Sequence, residues 1–250
     1  IYIMKKAAER ASFLLVRDFG ELENLQVSRK GFKNFVTIAN LRSEELIIKE
    51  LSKARPDFSF INEKSTSTAA ASSNKWIIDP INGTMNFMRG IPQFAINIAL
   101  MEKKEITAGI TLDPIRSNYF NATLGGGAFV GNRNRLRVSN REEIKESVTA
   151  THVHSHIDNM LINNGSILRR SGTIALDLAY LAAGKYDVVI AHSAQLWDIA
   201  SGMLIIKESG GFFEIEKNEN NSYNIIAAAS IKLLKQVQNI ICLDNNSKLQ

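Results

Sequence analysis

The chain has 250 residues, 45% of them apolar and 22% charged, which suffices for a large buried core and excludes a disordered polyelectrolyte. The formal net charge is +5, but only Arg133, Arg135 and Arg137 cluster, so the dense basic stripe of a nucleic-acid binder is missing. No run reaches the ~18 uninterrupted apolar residues of a membrane helix, and the single cysteine, Cys242, excludes an intramolecular disulfide or a cysteine-built metal centre and points to a reducing, cytoplasmic compartment.

Tyr2 to Phe19 predicts a helix, with Ala7, Ala11, Leu14, Leu15 and Phe19 near a 3.6-residue period. Leu41 to Leu51 predicts a second, and Pro56 stops it because the residue before proline avoids the helical region. Phe58 to Ile61 and Trp76 to Asp79 read as short strands; between them Lys64 to Asn74 is a Ser-, Thr- and Ala-rich loop. Four further strands are predicted at Phe94 to Met101, Thr107 to Leu112, Asn118 to Thr123 and Ala128 to Val130. Lys103-Lys104, Asp113-Pro114 and Gly125-Gly126-Gly127 separate them as turns. After Asn140 the pattern alternates. It runs strand Val148 to Val153, a short helix near Asp158, strand Ile167-Leu168, helix Ile174 to Ala183, strand Asp187 to Ala191 and helix Trp197 to Glu208. Strands Gly211 to Ile215 and Asn224 to Ala227 and a helix, Ile231 to Ile241, close the series. Strands followed by βα units predict an α/β protein with two halves, 1–140 and 141–250, sharing a core.

Three segments concentrate chemistry. In Trp76-Ile77-Ile78-Asp79-Pro80-Ile81-Asn82-Gly83-Thr84, an apolar strand delivers Asp79 to its end, Pro80 forces a turn, and Gly83-Thr84 opens a short helix. A carboxylate beside free helix-start N–H groups can hold a hard cation and a phosphate together. In Leu196-Trp197-Asp198-Ile199-Ala200-Ser201-Gly202, Asp198 falls in a first helical turn, where the dipole favours negative charge. In Phe60-Ile61-Asn62-Glu63, a strand ends on an acid. Taken singly, each has an ordinary explanation: an Asp-Pro turn, a helix-start acid, a solvated loop acid.

Together they resemble the inositol monophosphatase family, the Mg²⁺-dependent, lithium-sensitive phosphomonoesterases. The first segment resembles its Asp-Pro-Ile-Asp-Gly-Thr-x-Asn-Phe signature and continues into Gly90-Ile91-Pro92-Gln93-Phe94. The second resembles Trp-Asp-x-Ala-x-Gly, and Glu63 matches the first acid of Gly-Glu-Glu-Ser. Arg170-Ser171-Gly172-Thr173 and Ala175-Leu176-Asp177-Leu178 extend the match, and Asp18-Phe19-Gly20-Glu21-Leu22-Glu23-Asn24-Leu25 is similar to a bacterial subgroup, the extragenic suppressor proteins. The resemblance implies an α-β-α-β-α layered sandwich and commonly a homodimer. It also implies roles. Glu63, Asp79 and the Ile81 carbonyl would hold one Mg²⁺; Asp79, Asn82 and Asp198 would hold another. Glu63 and Thr84 would position and deprotonate the attacking water. The Gly83 and Thr84 amides would bind phosphate, while Gly172, Thr173 and Ile174 with Asp198 would face a polyol.

The sequence departs from that pattern at functional positions. Asn82 stands where the family has an Asp ligand, Asn40 where it has an Asp supporting the water, and Lys64 and Asn62 replace the second acid and the Gly of Gly-Glu-Glu-Ser. Ala191, with His192 beside it, falls where animal members carry a substrate-binding Glu. The chain has 23 Asn, 9 Asp and 30 Ile, a bias that lets Asp-to-Asn exchanges arise by drift. As a neutral oxygen ligand, Asn82 would leave the first metal position intact and weaken the second. The alternating His152, His154 and His156 do not by themselves make a zinc site, Gly125-Gly126-Gly127 lacks the strand–turn–helix context of a dinucleotide loop, and no nucleophile-elbow motif is present. Two functions are therefore expected to compete. One is a Mg²⁺-dependent phosphatase acting on inositol 1-phosphate or a similar small phosphomonoester, with reduced activity. The other is a catalytically weak binding or regulatory protein partnered with the transcription or RNA-processing machinery.

Overall fold

The computed structural model describes residues 1–22, 29–63, 72–152 and 156–247. Two long helices, α1 (Tyr2–Leu22) and α2 (Arg29–Ala54), precede a first sheet. That sheet holds β1 (Ser59–Ile61), β2 (Asn74–Asn82), β3 (Ala95–Glu102), β4 (Glu105–Asp113), β5 (Asn118–Thr123), β6 (Gly127–Val130) and β7 (Asn134–Arg135) in sequence order, with the short helix α3 (Thr84–Met88) between β2 and β3. β1 and β2 are parallel; every later pair is antiparallel.

The second sheet has the order β11-β12-β10-β8-β9. Its strands are β8 (Val148–His152), β9 (Ile167–Arg169), β10 (Val188–Ala194), β11 (Phe212–Lys217) and β12 (Tyr223–Ala228). The helices α4 (His156–Asn163), α5 (Ile174–Ala182), α6 (Leu196–Glu208) and α7 (Ile231–Ser247) complete the chain. α1 and α2 cover one face of the first sheet, α5 and α6 fill the space between the sheets, and α4 and α7 cover the far face of the second. This is the expected α-β-α-β-α sandwich. Period-2 alternation builds it: Trp76 and Ile78 of β2 face the α1/α2 core, while Ile77 between them faces α6.

Three elements differ from the sequence reading, the first being the two-residue strand β7, which was not expected. α2 begins at Arg29, twelve residues before Leu41. The added stretch holds Gly31, Asn34, Val36, Thr37 and Asn40, all poor helix formers, so local propensity argued against it, while Val36 and Ala39 are buried. Pro80 does not force a turn either. β2 runs on to Asn82, and the register steps from Asp79↔Asn97 to Asn82↔Ala95. Two residues, Pro80 and Ile81, thus oppose Ile96 alone in a β-bulge, a place where a proline without an N–H is tolerated. Val153 and most of the Lys64–Asn74 loop lie outside the described residues; Asn74 itself opens β2.

Candidate active site

The bulge has a direct consequence for the side chains of β2. Residues three apart on a regular strand point to opposite faces; one extra residue returns Asp79 and Asn82 to the same face. Their side chains meet there: Asn82 Nδ2 donates to Asp79 Oδ2 at 2.9 Å. Asp79 Oδ1 accepts the Ile81 N–H at 3.1 Å, closing a local Asx turn across Pro80.

α6 brings the second acid. Asp198 sits in its first turn, and its Oδ2 accepts the Gln195 N–H at 2.7 Å. Its Oδ1 accepts a second N–H of the Asn82 amide, again at 2.9 Å. The start of α6 is pinned by a residue that the sequence reading passed over. Asn97, opposite Asp79 on β3, donates to the carbonyls of Trp197 and Asp198 at 3.3 and 3.1 Å. Its own oxygen accepts the hydroxyls of Thr111 and Ser201. A polar residue inside the otherwise apolar Ala95–Leu100 run was the available signal.

α5 supplies the third side. Thr173, its N-cap residue, donates through Oγ1 to Asn82 Oδ1 at 2.7 Å, and the Ala175 N–H donates to the same oxygen at 3.1 Å. The Ala175 N–H can only donate, so the amide end facing it is the oxygen and the end facing the two carboxylates is the nitrogen. Asn82 does not present a neutral oxygen to a cation as the sequence suggested, because that oxygen caps α5. Turning the amide over would set two donors against each other and leave a buried N–H unpaired, at a cost of about 1–3 kcal/mol.

The preceding turn is held by Asn86 of α3, also unassigned from sequence, whose Nδ2 donates to the carbonyls of Gln93 and Ser171, both at 2.7 Å. Gly172 follows at φ +81°, and a Cβ there would meet Asn86 Oδ1 at 2.8 Å. Gly83 lies across from it at φ +93°, in the left-handed region that glycine enters at little cost. Thr84 starts α3 with its hydroxyl donating to the Ile81 carbonyl at 3.0 Å. Behind these loops Phe87 packs edge-on against Phe94 at 5.0 Å, with Phe19 of α1 5.3 Å from Phe94.

Asp79 is buried, and both its desolvation and the nearby charge of Asp198 push its carboxyl well above the usual range; bonds from Asn82 and Ile81 oppose this. Asp198 is raised too, chiefly by burial. Two desolvated carboxylates close together create a demand for positive charge; the point between them is taken by the Asn82 amide, and an Asp79 oxygen with the Ile81 carbonyl offers the kind of donor a hard cation takes. Glu63 is exposed two residues beyond the Ile61↔Ile77 pair, at the level where β2 reaches Asp79. Among the described residues no three His, Cys, Asp or Glu side chains gather around one point. The structure thus joins Asp79, Ile81, Asn82, Thr84, Thr173 and Asp198 in one network with Gly83 and Gly172 beside it. Ile174 opens α5 next to Thr173, while Glu63 and the half-buried Asn40 of α2 stand outside the network. His152 hydrogen-bonds Asp177 at 2.7 Å, His156 opens α4, and His154 is outside the described residues.

A model of the inositol monophosphatase family matches residues 1–241. An inositol-1-monophosphatase of Mesorhizobium japonicum is 41% identical over 84% of this chain and 83% of its own length. The Nus factor SuhB of Pasteurella multocida is 34% identical over 97% of this chain and 96% of its own. Among solved structures, the extragenic suppressor protein suhB from Bartonella henselae superposes with a TM-score of 0.83 at 36% identity, covering 96% of this chain and 97% of that one.

Proposed function

Because the chain belongs to the inositol monophosphatase family, we propose that it is a Mg²⁺-dependent phosphomonoesterase of reduced activity, acting on inositol 1-phosphate or a similar small phosphorylated polyol. The observation that carries this reading is the convergence of Asp79, from strand β2, and Asp198, from the first turn of helix α6, on one point flanked by the Gly83-Thr84 and Gly172-Thr173 turns. Phosphate-monoester hydrolysis is among the slowest uncatalysed reactions, so substantial electrostatic help is required. When bound, Mg²⁺ supplies positive charge against the phosphate and lowers the pKa of a water.

The residues divide the remaining work. Asp79, the Ile81 carbonyl and Glu63 would hold a first ion. The Thr84 hydroxyl spends its proton on Ile81, which leaves its lone pairs to orient a water that Glu63 can deprotonate. The first-turn N–H groups at Gly83 and Thr84 would take the phosphate oxygens. Gly172, Thr173 and Ile174 with Asp198 would face the polyol. A second ion would need Asp79, Asp198 and an Asn82 oxygen already committed to α5, which is why low turnover belongs to the proposal.

The test is phosphate release from inositol 1-phosphate across a Mg²⁺ titration. Mg²⁺-dependent release that Asp79→Ala abolishes is expected; none at any Mg²⁺ concentration overturns the reading. A second reading, a weakly catalytic partner of the transcription machinery, is favoured by the Asn82 amide between the two carboxylates and by relatives named Nus factor SuhB. Among the described residues no helix is long and apolar enough to cross a membrane. A cytoplasmic homodimer is the assembly proposed, on the resemblance alone; light scattering of the purified protein decides the dimer.

A further inference from the structure

Asn82 is 5% exposed and uses every polar hydrogen of its amide on the two site carboxylates, while its oxygen holds the start of α5. We propose that the Asn82 amide is a built-in substitute for a divalent cation: it cross-links Asp79 to Asp198 and closes the place between them to a metal ion. This rests on the metal-assisted reading above and goes beyond it by assigning the number of ions and the stability of the ion-free site to one side chain.

Three features support it. An amide nitrogen carries two polar hydrogens in a fixed plane and no available lone pair, so it can bond two carboxylates at once and cannot ligate a cation. The bonds are 2.9 Å each and fall in the ordinary range. The orientation is locked from behind, because the Ala175 N–H can donate to the oxygen end of the amide and not to its NH₂ end, and Thr173 Oγ1 donates a second bond to that oxygen. A cation shared by Asp79 and Asp198 would require oxygens about 2.1 Å away, and the Asn82 nitrogen is already in contact with one oxygen of each carboxylate. The ion-free site is thereby cross-linked by a neutral group. An aspartate at 82 could still accept from Thr173 and Ala175, but its other oxygen would bring a third negative charge to the pair and make the site depend on metal.

The experiment compares the parent chain with Asn82→Asp by Mg²⁺ titration calorimetry and by thermal melting in EDTA and in Mg²⁺. One more ion per chain is expected in Asn82→Asp than in the parent. Melting of the parent is expected to shift less between EDTA and Mg²⁺ than that of Asn82→Asp, which loses several degrees more in EDTA and regains them in Mg²⁺. Equal, non-zero ion numbers overturn the proposal and leave the phosphatase reading standing. No ion in the parent and one in the variant supports the proposal and overturns Mg²⁺ dependence for this chain. No ion in either overturns both. If Asn82→Asp does not fold, the parent decides alone: at most one ion at saturation supports the proposal, and two ions overturn it.

Discussion

Asn82 Oδ1 lies 3.1 Å from the backbone nitrogen of Ala175, a group that can only donate. That contact fixes which end of the amide looks at Asp79 and Asp198, and so sets the electrostatics of the whole site. It reaches across 93 positions of sequence, from the last residue of a strand in one sheet to the first turn of a helix between the sheets.

Asp79 is expected to be the least replaceable residue. It takes the Ile81 N–H on one oxygen and the Asn82 amide on the other, at the only bulge of β2, and it would touch every ion bound here. Asp79→Asn is expected to lower kcat/KM by roughly a hundredfold or more, each tenfold being about 1.4 kcal/mol of transition-state stabilisation. Asp198→Asn and Glu63→Gln should each cost less. Steady-state kinetics at saturating Mg²⁺ checks the order; equal rates for Asp79→Asn and the parent remove Asp79 from the mechanism.

Asn97 is a positioning residue. Replacing it by Leu takes an N–H from the carbonyls of Trp197 and Asp198 and leaves the buried hydroxyls of Thr111 and Ser201, 2.9 Å apart, only each other to bond. A loss of about 2–4 kcal/mol in unfolding free energy is expected from several broken or orphaned hydrogen bonds. Urea denaturation measures it, and a change under 0.5 kcal/mol would show that Asn97 does not hold α6.

Gly172→Ala combines a backbone at φ +81° with a Cβ 2.8 Å from Asn86 Oδ1. Strain and the broken Asn86–Ser171 bond should together cost roughly 2–4 kcal/mol. KM for the polyol phosphate should rise with it. Thermal melting and kinetics on the same preparation check both effects.

The ion-free protein should lose stability as pH rises. Asp79 and Asp198 hold their protons in the folded state to higher pH than in the unfolded chain. Between the ordinary aspartate value and the raised one, the native state therefore binds more protons, and stability falls with increasing pH. The decline begins at the ordinary aspartate range and ends once pH has passed the raised value. Melting in EDTA from pH 4 upward measures it, and Asp79→Asn should flatten much of the slope; a rise in stability over that window would contradict the burial argument.

Local pattern made much of this legible. The alternation of Trp76, Ile77 and Ile78 placed β2, the 3.6-residue period placed α1, and the Asp79 and Asp198 segments pointed to two acids that the fold brings together, because periodicity and fixed spacing are properties of the chain itself. Several things were settled only by the tertiary structure. The early part of α2 was hidden because Gly31, Asn34, Val36, Thr37 and Asn40 are poor helix formers, a local preference that tertiary packing overrides. The bulge at Pro80-Ile81 was hidden because strand register depends on the partner, and it is the bulge that puts Asp79 and Asn82 on one face. Asn97 and Asn86 gained their roles from α6 and from the Ser171 turn, far off in sequence. The sequence could place an amide at 82, but an amide has two unlike ends, and the choice between them was made by one N–H of α5 that the chain brings there only after both sheets have assembled.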